Sequence, residues 1–180
     1  MTDQNVAPVV PNFDDEPAEG GGGRKLAIIC SKGNLDMAYP GLILANAALG
    51  EGVETHLFFT FWGFDIINKA TMGDLKFSFV GNTAMHLPGS SMGIHHMLGA
   101  LPGATAGATA FMKKQIADLD VPEVPEFLEL LSASGAHMWA CRMSADMNHL
   151  TEEDLFEGVE AIISASDFIE MTDGAQLLFI

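Results

Sequence analysis

The stretch KLAIICSKGNLDMAYPGLILANAALGEGVETHLFFTF, residues 25–61, decides the fold class. KLAIIC (25–30) is a short apolar run with β-branched residues, which is typical of a strand buried on both faces. A turn, SKGN, follows, and Asn34 in it is suited to cap the helix that the next residues predict. That helical periodicity ends at two glycines, and VETHLFFTF (53–61) is a second strand. A β-α-β unit of this kind predicts a parallel sheet.

The rest of the chain continues the alternation of helices and strands. Three more strands are predicted, AHMWAC (136–141), VEAII (159–163) and AQLLFI (175–180). The predicted helices cover 62–73, 108–118, 121–135, a segment that begins near Glu152, and 164–171. Residues 142–150 remain as a loop after the third strand. The pattern predicts a three-layer, flavodoxin-like α/β fold with a five-stranded, mostly parallel sheet. We expect the strand order 2-1-3-4-5, with the first strand beside the third.

Charge and composition exclude several classes of function. The 180 residues contain 24 acidic and 8 basic side chains, a formal net charge of −16. Binding to nucleic acid or to an anionic membrane needs clustered Lys and Arg, so neither is expected. The apolar runs are shorter than the roughly 20 residues of a membrane-spanning helix, and the first residues lack the pattern of a signal peptide. Two cysteines are too few for a disulfide scaffold, so we expect a cytoplasmic protein.

Two segments differ in composition from the rest of the chain. Residues 1–23 are rich in Pro, Asp, Glu and Gly and predict a disordered tail, which leaves a folded domain over 24–180. Residues 73–107 form an insertion rich in Gly, Met and His. This insertion is too long for an ordinary connection and predicts a functional flap or an oligomer contact.

The insertion also contains the only weak candidates for a metal site, His86, His95 and His96. Imidazole and thioether groups together could hold a soft metal. Adjacent histidines point to different sides of most backbones, however, and no HxxxH spacing is present. We therefore predict no metal and no cofactor, and we interpret the segment as an adaptable, Met-rich surface that contacts a partner.

The two thiols have equivalent places in the predicted sheet. Cys30 ends the first strand and Cys141 ends the third. Ligands of open α/β sheets bind outside the carboxyl ends of the strands, and adjacent strands would bring the two thiols to about 5 Å of each other. We predict Cys141 as the catalytic residue. Cys30 is more simply interpreted as a small buried apolar side chain, with a relay role as the alternative.

A thiolate at this edge would need positive potential and hydrogen-bond donors. Lys32 and Arg142 directly follow the two strand ends, and the SKGN turn offers N–H groups at a helix start. The polarity also rises after Cys141. The predicted substrate- or anion-binding residues are Lys32, Gly33, Asn34, Arg142 and Ser144. For both cations, pairing with nearby carboxylates is the alternative.

Two segments, SKGNLDMAYPGLILANAALGEGVETHLFFTFWGFDII (31–67) and ACRMSADMNHL (140–150), resemble the DsrE/DsrF/DsrH-like family, in particular its larger single-chain branch. The resemblance extends over nearly all of 25–180. It implies a sulfurtransferase or sulfur carrier that holds a persulfide or thiosulfonate on one cysteine, and Cys141 is the matching position. It also implies a homo-oligomer that exchanges sulfur with TusA-like or rhodanese-like proteins.

Two functions from different classes therefore follow from the sequence. The first is a cysteine-based sulfurtransferase or sulfur carrier that passes sulfur between partner proteins. The alternative is a non-catalytic interaction or regulatory protein on the same fold, which binds through the His- and Met-rich insertion. No GxGxxG and no GxxxxGK[ST] motif is present, so neither a dinucleotide nor a P-loop site is predicted.

Overall fold

The computed structural model describes residues 23–78 and 103–180. In these ranges the elements are β1 Lys25–Cys30, α1 Leu35–Gly50, β2 Glu54–Phe59, α2 Ala104–Ala117, α3 Val124–Ala133, β3 His137–Cys141, α4 Arg142–Asn148, β4 Val159–Ile163, α5 Ala165–Met171 and β5 Gln176–Phe179. Short 3-10 helices cover Phe61–Ile66, Met72–Asp74 and Glu152–Asp154. The predicted tail up to residue 22 and residues 79–102 of the predicted insertion, which include His86, His95 and His96, lie outside the described residues.

The described strands form one five-stranded sheet, and every pairing between them is parallel. This confirms the predicted α/β fold class. The strand order is β4-β3-β2-β1-β5, so β2 is the central strand and the expected order 2-1-3-4-5 is wrong. The apolar run of β1 predicts that the strand is buried, but hydrophobicity does not specify which strand lies next to it.

The direction of each crossover explains the two helical layers. The chain steps from β1 to β2 and from β2 to β3 in one direction, and right-handed connections place α1 and α3 on the same face of the sheet. The step from β4 to β5 returns across the sheet, so α5 lies on the opposite face. There Phe168 of α5 stacks on Phe58 of β2, with ring centroids 4.5 Å apart. The sheet between these helices gives the predicted three layers.

The segments after β3 differ from the prediction. The predicted loop over 142–150 is instead the helix α4, which begins directly after the strand with Cys141 as its N-cap. Seven residues are too few for an apolar period to be recognised, and a helix this short depends on packing of its inner face. The helix predicted from Glu152 is only a 3-10 turn, although the predicted capping box at Thr151 is present.

The turn after β2 passes very close to the end of β1. The N–H of Thr60 donates to the carbonyl of Cys30 at 3.0 Å. A Cβ at Gly63 would lie 2.0 Å from that same carbonyl oxygen, so only glycine fits there. Phe61, between these two residues, has a φ of 47°, in the left-handed region that side-chain-bearing residues rarely adopt. The turn therefore holds Thr60 and Phe61 in a fixed position at the carboxyl edge of the sheet.

The core of the described residues lies between the sheet and its helices. Side chains such as Ile28, Leu57, Phe59, Leu128 and Met138 are completely inaccessible. Each contributes about 1.5–3 kcal/mol relative to an exposed position, which explains why the strands are apolar almost throughout. Within the described ranges, no helix combines the length and apolar character that a membrane span requires.

Candidate functional site

Cys141 lies at the carboxyl edge of the sheet, where β3 ends and α4 begins. Only 4% of the residue is exposed. It nevertheless lines an open cleft of ≈ 520 Å³, together with Phe58, Thr60 and Phe61 from the β2 side and Ala165 of α5. The strand therefore brings the thiol to the floor of a cleft, where it is packed on most sides but can be reached from one.

Four hydrogen-bond donors lie around the sulfur. Burial alone would raise the pKa of the Cys141 thiol. The four donors outweigh this effect of burial, so the pKa lies below its usual value. They are the hydroxyl of Thr60, the N–H and hydroxyl of Ser144 and the N–H of Met143. The side chain makes no capping hydrogen bond of standard geometry. The donors favour the thiolate, because hydrogen bonds to an anion are stronger than those to a neutral group.

Ser144 connects the start of α4 to the turn after β2. It is completely buried, its Oγ accepts the backbone N–H of Phe61 at 2.8 Å, and the same oxygen lies 3.3 Å from Oγ1 of Thr60. Because Oγ already accepts one hydrogen bond, its proton is available for Thr60 or Cys141. The left-handed backbone of Phe61 belongs to this arrangement, since it is the N–H of that residue that donates to Ser144.

Arg142 lines the same cleft as Cys141. Its guanidinium donates to the carbonyl of Ile162 at 2.8 Å. The pKa of the Asp167 carboxyl lies below its usual range, because hydrogen bonds from Ser164 and, to a smaller extent, the charge of Arg142 stabilise the carboxylate. The structure therefore brings two members of the predicted anion-binding set, Arg142 and Ser144, to Cys141, and their binding of an anion stays a prediction.

Cys30 lies on the other face of the sheet. In the register, Cys30 pairs with Phe59 and Phe59 pairs with Ala140, so these side chains share a face and Cys141, the next residue, points to the opposite one. The expected separation of about 5 Å is wrong, because β2 lies between the two strands, and the geometric basis for a relay is lost with it. A Cβ on Gly41 of α1 would lie 3.1 Å from the Cys30 sulfur. Burial raises the pKa of this thiol to about 12, as the interpretation as a buried apolar side chain requires.

The other predicted anion-binding residues lie away from Cys141. Gly33 and Asn34 line a separate cleft of ≈ 550 Å³ beside Trp62, and Lys32, in the same turn, is exposed. This cleft also contains Asp65, whose carboxyl has a pKa raised by burial. The prediction that the SKGN turn contributes to the Cys141 site is therefore wrong, and the reason is again that β2 separates the ends of β1 and β3. Asn34 does precede α1 as predicted, but its side chain makes no capping hydrogen bond.

Sequence reasoning missed Thr60 and Phe61. Both belong to the pattern FFTFWG (58–63), which carries part of the family resemblance but predicts only the end of a strand. The available signal was a hydroxyl residue directly after a buried strand, with a glycine three positions later. That signal becomes informative only when β2 is known to lie next to β3.

The described residues contain no group of three or more His, Cys, Asp or Glu side chains that could hold a metal ion. The weak candidates His86, His95 and His96 lie outside these ranges, so the structure does not test them. The expectation that the protein uses no cofactor stays a prediction.

Fold and site together define a class of protein: a parallel α/β domain with a cysteine in an open cleft at the carboxyl edge of its sheet. Comparison with known proteins identifies the family. Residues 23–179 match the DsrE/DsrF/DrsH-like family, and the chain belongs to it. The resemblance that the sequence motifs carry is thereby confirmed.

Individual relatives cover most of the chain. It is 36% identical over 146 residues to the sulfur carrier protein DsrE2 of Allochromatium vinosum, with 81% of this chain and 91% of that protein covered. It is 26% identical over 160 residues to the uncharacterized protein YrkE of Bacillus subtilis, with 87% and 97% covered. The solved structure of MTH1491, a protein of unknown function from Methanobacterium thermoautotrophicum, aligns with a TM-score of 0.53 at 10% identity, covering 87% of this chain and 99% of that one. This last likeness concerns the fold alone.

Proposed function

We propose that the protein is a cysteine-based sulfur carrier or sulfurtransferase that holds a persulfide on Cys141 and passes the sulfur to partner proteins. The observation that carries the proposal is the thiol itself, which lies on the floor of an open cleft and has a pKa below its usual value. The identity of 36% to a sulfur carrier protein supports the same conclusion.

Loading is a transfer of one sulfur atom without net oxidation. The Cys141 thiolate attacks the outer sulfur of a donor persulfide, R–S–SH, and a new S–S bond forms on Cys141. The S–S bond of the donor breaks, and its electron pair leaves with R–S⁻. The lowered pKa increases the fraction of thiolate at a given pH, and the thiolate, not the thiol, is the nucleophile.

Unloading uses the same hydrogen-bond donors, with Cys141 now as the leaving group. An acceptor thiolate attacks the outer sulfur of the Cys141 persulfide, and Cys141 leaves as the thiolate with the electron pair of the broken bond. A leaving thiol with a lower pKa departs faster. Thr60 and Ser144 therefore assist both steps, because they stabilise the anion that starts the first step and ends the second.

Donors and acceptors of the sulfur are, in this proposal, other sulfur-carrying proteins of the cytoplasm, such as TusA-like or rhodanese-like proteins. We also propose that the chain acts as a homo-oligomer. Exposed apolar side chains on the edge strand, such as Leu177 and Phe179, support an assembly, because solvent-exposed apolar groups of this size are commonly covered by a contact.

The test is intact mass after incubation with polysulfide. Wild type and a Cys30→Ser variant are expected to gain 32 Da per sulfur atom (on the order of one atom per chain, the number that one reactive thiol allows), and Cys141→Ser is expected to gain none. Treatment with a small thiol should return each mass to its starting value, because the added sulfur is transferable. Equal sulfur gain by Cys141→Ser and wild type would remove Cys141 from the reaction and leave the non-catalytic interaction protein as the better interpretation.

A further inference from the structure

Four large apolar side chains in and next to the Cys141 cleft are exposed to solvent. The exposed fractions are 46% for Phe61, 65% for Trp62, 55% for Met143 and 51% for Met147. Phe61 and Met143 line the cleft itself. Trp62 follows Phe61 in the turn and lines the neighbouring cleft of Gly33 and Asn34. Met147 lies one helical turn beyond Met143 on α4. We call these four residues the thiol rim.

The composition of the thiol rim is that of a protein interface. Aromatic side chains and methionine are enriched where proteins meet, and flexible methionines adapt to differently shaped partners. The chain has a net charge of −16, and yet it places these apolar groups near the Cys141 thiol. Exposure of apolar groups at this position is therefore explained by contact with another molecule at the moment of sulfur exchange.

Carboxylates lie next to the thiol rim. Asp146 lines the Cys141 cleft, and Glu152 and Glu153 line the neighbouring cleft together with Asp146 and Arg142. Three acidic groups and one guanidinium give this side of the site a net negative charge. A partner with basic side chains around its own reactive group would be attracted and oriented here.

We propose that the thiol rim is the docking surface for a partner protein whose sulfur-bearing cysteine lies in a segment with apolar side chains and a net positive charge. This inference rests on the proposed sulfur-carrier function and adds to it the surface and the chemistry of the partner. A second copy of the chain fits less well as the occupant, because a two-fold contact would bring the same carboxylates of both copies together.

The experiment uses the full chain and two synthetic peptides, KKLCLKK and EELCLEE, each with its cysteine as a mixed disulfide with thionitrobenzoate. The Cys141 thiolate attacks the peptide sulfur, a new disulfide to the peptide forms, and the coloured thionitrobenzoate anion leaves with the electron pair. Cys141→Ser is the blank. We expect the Lys peptide to react on the order of tenfold faster than the Glu peptide at low ionic strength. The difference should shrink in high salt because screening weakens attraction between exposed charges.

Matched variants separate the thiol rim from the overall charge. Glu152→Gln with Glu153→Gln should reduce the preference for the Lys peptide, whereas Glu126→Gln with Glu129→Gln, on α3, changes the net charge equally and should not. In a second series, Trp62→Ser and Met147→Ser should slow the reaction of the Lys peptide with Cys141 several-fold. Leu119→Ser, at a position 74% exposed outside the rim, should not slow it. Alkylation by iodoacetamide reports the thiol alone and should stay within about twofold in all of these variants, because none of their side chains contacts the sulfur.

Three results would overturn the proposal. The first is an equal effect of the two glutamate pairs on the preference for the Lys peptide, which would leave the net charge of the chain as its only cause. The second is an equal effect of the rim variants and Leu119→Ser. The third is a change of molecular mass in light scattering on Trp62→Ser or Met147→Ser, which would assign the rim to a second copy of the chain. Polysulfide loading measured in parallel keeps the two proposals apart: its failure alone would contradict the sulfur function, whereas the peptide rates test the docking surface.

Discussion

The hydroxyl of Ser144 accepts the backbone N–H of Phe61 at 2.8 Å, across 83 positions of the chain. This bond ties the first turn of α4 to the turn after β2, and the Cys141 sulfur lies between the two. The same side chain therefore supports the fold and stabilises the thiolate. The two roles can be separated by substitution.

Ser144→Ala is expected to move the pH profile of Cys141 alkylation to higher pH and to destabilise the fold. The thiol loses a donor, and the N–H of Phe61 is left without its partner, which costs about 1–3 kcal/mol. Thr60→Val is the comparison, because it removes a donor to the thiol and the long 3.3 Å contact with Ser144 but keeps the side-chain shape and leaves the N–H of Phe61 bonded. It should move the alkylation profile in the same direction, with a loss of stability well below that of Ser144→Ala in urea unfolding. Unchanged profiles for both variants would show that these hydroxyls do not affect the thiol.

The two cysteines are expected to differ sharply in reactivity. Cys141 has a lowered pKa and faces a cleft, whereas burial raises the pKa of Cys30 to about 12. Native protein treated with iodoacetamide near neutral pH should take up one label, located on Cys141 by peptide mass mapping. Protein unfolded in guanidinium should take up two labels, which controls for reagent quality. Labelling of Cys30 in native protein at a rate similar to that of Cys141 would contradict the burial of the first thiol.

Cys30 should also make the fold sensitive to alkali. The unfolded thiol ionises near pH 8.5, but the folded thiol keeps its proton to about pH 12. The pKa of this thiol is higher in the folded than in the unfolded chain, so ionisation favours the unfolded chain. Its full contribution to the free energy of unfolding is therefore present below pH 8.5, and that free energy falls by about 1.4 kcal/mol per pH unit above it. In a Cys141→Ser background, Cys30→Ala should therefore lose less stability between pH 8.5 and 10.5 than the parent does. Parallel curves of unfolding free energy against pH would contradict this prediction.

Gly63→Ala is expected to destabilise the protein by several kcal/mol, since the new Cβ would lie 2.0 Å from the carbonyl oxygen of Cys30 and backbone would have to move. Gly107→Ala, in α2, is the control: a Cβ there meets nothing within 4 Å, and alanine favours a helix over glycine by about 1 kcal/mol. Thermal unfolding should therefore give a lower midpoint for the first variant and an equal or higher one for the second. A Gly63→Ala midpoint equal to that of wild type would mean that the turn after β2 is not as close to β1 as described.

Much of the fold can be predicted from the sequence because each strand is an apolar run with clear ends. β1 and β4 have the predicted bounds, and Cys141 ends β3 as the pattern indicates. The order of the strands could not be predicted, because the apolar pattern of a strand predicts its burial but not which strand it pairs with. The helix α4 was missed for a related reason: it is seven residues long and is fixed by tertiary packing, not by a local pattern.

The candidate site was predicted only in part. Cys141, Arg142 and Ser144 are consecutive or nearly so, and the strand end brings them together without any knowledge of topology. Lys32, by contrast, depends on an assumed neighbour of β1. Thr60 depends on the true neighbour of β3, so it could not be found before the sheet order was known. The structure brings together the predicted residues that are close in the chain, and it separates those that only the expected strand order would have joined.

The position of the two thiols on opposite faces has a consequence for oxidative damage. A sulfenic acid on Cys141 would need a second thiol within disulfide distance to be resolved inside the chain, and Cys30 is separated from it by a whole strand. Among the described residues no other cysteine is present. Peroxide would therefore drive Cys141 to a mixed disulfide with an external thiol such as glutathione, or onward to the irreversible sulfinic acid. Protection of this protein against oxidants thus depends on the thiols that surround it and not on its own chain.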